Sequence, residues 1–147
     1  MISCVKKSRY TQTMRLELSR RTDLALKALR HLDAAGGTVP RSDLAAAIGT
    51  TPDFVARVVA PLVKAGWVRS EPGRGGGYTS NADLERVSVL ELIRVTEGVP
   101  AATTCVLRGG PCGLDDRCEL HDAWSAARDA LLKELDATPV RASGRKR

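Results

Sequence analysis

"VPRSDLAAAIGTTPDFVARVVAPLVKAGWV", Val39 to Val68, is the stretch that decides the fold. Its first part, Val39 to Gly49, reads as a short helix. Gly49 to Thr51 then make a tight turn. Thr51 is placed as an N-cap, where a side-chain oxygen accepts one of the amides that a helix start leaves unpaired. Pro52 follows at the first helical position, where the amide it lacks is not needed. The second helix runs on to Gly66, which stops it. Helix, tight turn and helix at this spacing predict a helix-turn-helix. Pro61 removes a backbone donor inside the second helix, which predicts a kink near Arg57 to Ala60.

Working outward, "GWVRSEPGRGGGYTS" follows at once. "WVRS" and "GYTS" are short strand candidates, and the glycine-rich "EPGRGGG" between them suits a hairpin loop. A two-stranded wing behind a helix-turn-helix makes a winged helix. Upstream, "LSRRTDLALKALRHLDAAGG" opens on Ser19 as N-cap, sets Leu24, Ala28, Leu29 and Leu32 at helical spacing, and stops at Gly36 and Gly37. Downstream, "VSVLELIRVTEG" reads as a helix with Val89, Leu92, Ile93 and Thr96 inward, ended by Gly98 and Pro100.

The last element, about Glu119 to Leu135, carries Leu120, Ala123, Trp124, Ala127, Leu131 and Leu135 at steps of three and four. A lone amphipathic helix at the end of a small domain folds back on its core or pairs with a copy of itself. Pairing is favoured, because a winged helix that reads duplex DNA usually spans two half-sites as a dimer. The expected fold class is therefore mainly α: a winged helix-turn-helix with a small two-stranded wing and a long C-terminal dimerisation helix.

The totals agree with one compact unit. The chain has 147 residues and 3% aromatics, so its core should be aliphatic. No run of about 18 apolar residues spans a membrane, and the opening "MISCVKKSRYTQTM" lacks the apolar centre of a signal peptide. A cytoplasmic protein is expected, in which four cysteines point to metal or redox chemistry rather than disulfides. The net charge of +6 is unevenly placed. The first 13 residues and the tail "RASGRKR" are basic without an acid, Met14 to Tyr78 is net positive, and Thr79 to Val140 is net negative. A basic front half suggests a partner rich in phosphate.

The expected division is a disordered arm or over-extended start over 1–13, a winged helix over 14–98, a ligand-binding loop over 99–119, a dimerisation helix over 120–136 and a basic disordered tail over 137–147. Cys4 lies in the arm and is expected to be idle.

"TTCVLRGGPCGLDDRCELHDAW" fills the loop and the start of the last helix. Cys105, Cys112, Cys118 and His121 are four soft ligands in close succession. Structural zinc sites usually pair thiolates as C-x2-C knuckles, and none occurs here. Wider gaps with Gly109, Gly110, Pro111 and Gly113 let one loop wrap a larger object, and thiolates are the usual ligands of iron-sulfur clusters. Spacing alone leaves a cluster, zinc and no metal open.

"MRLELSRRTDLALKAL", the helix-turn-helix, "GRGGGY", the cysteine triplet and "ELHDAW" together resemble the bacterial iron-sulfur winged-helix transcriptional regulators typified by IscR and NsrR. The likeness runs from Met14 to about Asp136. It implies a homodimer with a cluster in the loop before the dimerisation helix, held by Cys105, Cys112 and Cys118. Two residues compete for the fourth position. His121, one turn into the last helix, matches a histidine ligand and goes with a 2Fe-2S cluster. Asp23, in "RRTDLALK", matches an aspartate that reaches across from the partner subunit and goes with a 4Fe-4S cluster. The bland readings are a polar surface histidine and a first-turn acid favoured by the helix dipole.

In a winged helix the second helix of the turn motif enters the major groove, N-terminal residues first. Here those are Thr51, Asp53, Phe54 and Arg57. Arg57 suits guanine, Phe54 a thymine methyl, and Thr51 and Ser42 phosphates, whereas the bland reading makes Phe54 core and Arg57 a solvated charge. Arg74 sits where a wing tip enters a narrow minor groove. The glycine run is not a P-loop, because it lacks Lys-Ser/Thr and leads into no helix. No nucleophile with its base is evident, which argues against an enzyme. The functional expectation is a DNA-binding regulator switched by its cluster. The alternatives are a zinc-stabilised or cofactor-free regulator and, behind these, an iron-sulfur redox carrier.

Overall fold

A computed structural model describes residues 18–98, 107, 112 and 117–141. The elements run α1 (Arg20–Ala35), α2 (Arg41–Ile48), α3 (Pro52–Lys64), β1 (Val68–Glu71), β2 (Gly77–Ser80), α4 (Val89–Glu97) and α5 (His121–Ala137). The local signals act where the sequence puts them. Thr22 N–H donates to the Ser19 hydroxyl at 3.2 Å, capping α1, and Gly36 closes that helix in the left-handed region at φ 65°. Phe54 N–H donates to Thr51 Oγ1 at 3.4 Å, with Pro52 first in α3. At α4 the cap is reciprocal: Glu91 N–H donates to Ser88 Oγ at 3.1 Å and Ser88 N–H to the Glu91 carboxylate at 2.7 Å.

These helices close around an aliphatic core. Leu29, Leu32, Leu44, Leu62 and Leu92, from four different helices, are all fully buried. α3 supplies its most regular wall, with Val55, Val58, Val59 and Leu62 on one face and no exposure at any of them. Pro61 lies inside α3, which continues through it to Lys64. On α4, Val89, Leu90, Leu92 and Thr96 are buried, while Ile93 is half-buried at the edge of that face.

β1 and β2 pair antiparallel from Val68↔Ser80 to Glu71↔Gly77. The wing also has a third contact: Val39 and Tyr78 exchange backbone hydrogen bonds, each 2.9 Å, across a single bridge. The approach is close enough to dictate residue type. A Cβ on Gly77 would stand 2.2 Å from the Val39 carbonyl oxygen, and one on Gly76 2.2 Å from that of Glu71. Only glycine fits at either position.

The segment after α5 departs from the expected disordered tail. Residues 138–141 lie along the chain that enters α4. Val89 N–H donates to the Thr138 carbonyl at 2.8 Å, Val140 N–H to that of Val87 at 2.8 Å, and Arg141 N–H to that of Leu84 at 2.9 Å. Val140 is fully buried, and Arg30 Nε holds its carbonyl at 2.8 Å. The basic composition of the tail hides one apolar residue that seals the core. Residues 142–147, the arm over 1–13 and Cys4 lie outside the described residues.

α5 behaves oppositely. It has no buried residue, and Leu120, Trp124 and Leu131 are 42%, 36% and 39% exposed. No single helix among the described residues is long and apolar enough to cross a membrane.

Candidate nucleic-acid interface and cysteine loop

α2 and α3 meet at 91°. The turn between them is made by Gly49, left-handed at φ 71°, and by Thr50 N–H donating back to the Ala45 carbonyl at 3.0 Å. Because α3 turns Val55, Val58, Val59 and Leu62 inward, its other face is set outward. Thr51, Asp53, Phe54 and Arg57 are all exposed.

Phe54 is the telling residue of that set. It is 36% exposed beside a run of fully buried valines, so it belongs to the outer surface and not to the core. Arg57 and Arg74 are exposed, and neither makes an ion pair among the described residues. Thr51 Oγ1 accepts from the Phe54 amide and keeps its own proton to donate. The Ser42 hydroxyl donates to Asp43 at 3.1 Å, so its proton is already engaged. Arg74 stands between Gly73 (φ 94°) and Gly75 (φ 77°), left-handed positions that make the sharp tip of the wing.

The cysteine loop is described in part. Cys105 lies outside the described residues. Cys112 and Cys118 are half-buried, and Cys118 N–H donates to Cys112 Sγ at 3.4 Å. His121 begins α5, its N–H donating to the Cys118 carbonyl at 3.0 Å, which puts Cys118 and His121 one turn apart. Arg117 and Asp122 pair at 3.4 Å across the same turn. Asp23 sits in the first turn of α1, ion-paired with Lys27 at 2.7 Å. Among the described residues no three His, Cys, Asp or Glu side chains converge as a metal site.

A polar network at the root of this loop escaped sequence reasoning. The buried Thr22 and Thr96 hydroxyls are 2.7 Å apart. The Glu97 carboxylate accepts from Ser19 Oγ at 2.5 Å and from the Thr22 hydroxyl. It thereby ties the last residue of α4 to the first turn of α1. Those two side-chain hydrogen bonds, Ser19 first, hold the Glu97 carboxyl below the ordinary glutamate range; a backbone bond and nearby Arg21 add to this against some desolvation. Thr96 on an apolar stripe was the one available signal.

Comparisons with known proteins agree with this architecture. Residues 18–142 match the family model Rrf2, described as iron-dependent transcriptional regulator. The HTH-type transcriptional regulator IscR of Escherichia coli is 30% identical over 130 residues, covering 88% of this chain and 72% of its own. Protein aau3 of Rhizobium meliloti is 29% identical over 127 residues, covering 85% and 82%. Among solved structures, CymR, the global cysteine regulator of B. subtilis, superposes with a TM-score of 0.68 at 24% identity, covering 86% and 94%. IscR of T. potens gives 0.66 at 23% identity, covering 86% and 85%. IscR and CymR are regulators rather than enzymes. With its outward-facing turn motif, its wing and a match spanning most of its length, this chain belongs to the Rrf2 family of winged-helix, DNA-binding transcriptional regulators.

Proposed function

We propose that the protein is a cytoplasmic homodimeric regulator whose affinity for DNA is set by an iron-sulfur cluster held by Cys105, Cys112, Cys118 and a fourth ligand. The observation that carries this reading is the fold-back of Cys118 onto Cys112: an amide donating to a sulfur at 3.4 Å, one turn before His121. Two half-buried sulfurs and an imidazole at the foot of α5 are a donor set suited to iron, and an amide to sulfur stabilises thiolate charge. Within one protomer His121 is the fourth ligand at hand, one turn from Cys118, whereas Asp23 would come from the partner subunit. With His121 the cluster is 2Fe-2S; with Asp23 it is 4Fe-4S.

When bound, the group supplies one-electron chemistry and lability towards oxidants or nitric oxide. The chain's own part is mechanical. Cys118 and His121 span the joint between loop and α5, so a change in loop shape alters the angle at which α5 leaves it. α5 is the dimer helix, so that angle sets the spacing of the two reading helices. Arg57 and Phe54 address base edges, Thr51 a phosphate, Asp53 an exposed amino group, and Arg74 the minor groove, while Ser42 reaches a phosphate once its hydroxyl turns from Asp43.

Anaerobic absorption and Mössbauer spectra of the wild type, His121→Ala and Asp23→Ala test the cluster. A coloured protein whose iron spectrum changes with only one variant identifies the ligand. Colourless protein with stoichiometric zinc overturns the cluster. A second reading is a zinc-stabilised or cofactor-free regulator, since thiolates and imidazole are also zinc ligands. It is the correct one if DNA affinity ignores Cys105, Cys112 and Cys118 changed together to Ala.

A further inference from the structure

Where α4 ends and α1 begins, the hydroxyl protons can be counted. Thr22 and Thr96 are buried, their oxygens 2.7 Å apart, and either can be the donor. Thr96 Oγ1 also lies 2.9 Å from the Leu92 carbonyl, one turn back in α4. Ser19 Oγ and Thr22 Oγ1 both donate to the same oxygen of Glu97, Oε1. A hydroxyl has one proton to give, and an ionised carboxylate only accepts.

Two arrangements satisfy that count. With Glu97 docked, Thr22 gives its proton to the carboxylate, so the proton between the two threonines comes from Thr96. The chain then runs from Thr96 to Thr22 to Glu97. With Glu97 withdrawn it can run the other way, from Thr22 to Thr96 to the Leu92 carbonyl, the back-bond that threonine makes inside helices. Neither buried hydroxyl is left without an acceptor in either case. Ser19 and Glu97 are exposed, so water replaces the partner each gives up, and Ser19 goes on capping α1 by accepting from Thr22 N–H. Withdrawal therefore avoids the penalty of an unpaired buried group.

Position gives this reversal a use. Glu97 is the last residue of α4, and Gly98, at φ 88°, turns the chain out of the helix towards the cysteine loop. Ser19 and Thr22 are the cap and first turn of α1, beside Asp23. We propose that Glu97 is a releasable latch between the root of the cysteine loop and α1, opened without stranding a buried donor because the Thr22–Thr96 pair reverses its protons. Closed, it holds the loop's root against α1; open, it frees that root while the core stays shut. A pull along the loop thus reaches α1 as a two-position step. The latch rests on the proposed function only for what pulls, which is ligand capture or loss at Cys105, Cys112 and Cys118.

The test is a mutant cycle on the full chain as purified, read by denaturant unfolding. Thr96→Val leaves Thr22 its bond to Glu97, and Glu97→Ala leaves it the bond to Thr96. The double variant leaves it neither, so its unfolding constant should exceed the product of the two single effects by about tenfold. Adding Thr22→Val to the double variant should remove that excess, because no hydroxyl is left to strand. Amide exchange at the end of α4 and the start of α1 gives a second readout, which also decides the matter if the double variant does not fold. Thr96→Val should slow this exchange by about tenfold, since opening now strands Thr22, whereas Glu97→Ala should speed it. Two ordinary structural contacts would give no excess in the cycle and unchanged or faster exchange in Thr96→Val; either result overturns the latch. Protein that binds no iron yet shows both effects loses the proposed function and keeps the latch, and iron-bound protein that shows neither does the reverse.

Discussion

The winged body and α5 are opposite solutions to the same problem of hiding apolar side chains. In the body, helices from four parts of the sequence bury leucines completely against one another. α5 is the longest helix described, at 17 residues, and buries none. It is nevertheless fastened to the body behind its end, by Val140 and by the Ser88 hydroxyl donating to Asp136 at 3.3 Å. The body is thus complete within one chain, whereas α5 is anchored but uncovered, with Leu120, Trp124 and Leu131 turned outward. That uncovered stripe is what the proposed dimer contact would cover.

The comparison breaks most sharply in the core. Leu62→Ala removes a fully buried side chain from the inner face of α3, and should cost about 2–5 kcal/mol in thermal or denaturant unfolding. Leu131→Glu, on α5, should have a different signature. Sedimentation should move from dimer to monomer and DNA affinity should fall, while the unfolding free energy of the monomeric body stays within about 0.5 kcal/mol. A wild type that sediments as a monomer, or a Leu131→Glu protein that sediments unchanged, overturns α5 as the dimer helix.

The smallest effect is at Glu97, where body and loop meet. Its carboxyl titrates lower folded than unfolded, so its contribution is present above the unfolded value and is lost as pH falls through the folded one. Wild-type stability should therefore fall more steeply than that of Glu97→Gln as pH drops below about 5. Parallel pH profiles would show that the tie between α4 and α1 contributes nothing to folding.

How much of this was legible depends on how local the signal is. Ser19, Thr51 with Pro52, and Gly36, Gly49 and Gly98 act on their own neighbours, and each helix boundary they mark is found in the structure to within a residue or two. The hairpin was readable because glycine clusters between strand-formers have few other uses. Pairings between distant single residues leave no such trace. Nothing near Val39 announces Tyr78, and one valine among arginines does not announce a core position. Phe54 shows the limit within a helix, since periodicity ranks faces but cannot say whether an aromatic at the margin is covered. The candidate ligands were legible as a spacing, but the choice between His121 and Asp23 is a matter of distance between elements, and of whether Lys27 lets go.

Val140 has one more consequence, which concerns the order in which the protein is made. Synthesis delivers the reading helix early, but the residue that plugs the core arrives only after the cysteine loop and all of α5 have been made. A nascent or prematurely ended chain would carry α3 on a body with a gap at Val140's place. The strap therefore closes the core last, once the cysteine loop and α5 are both in place.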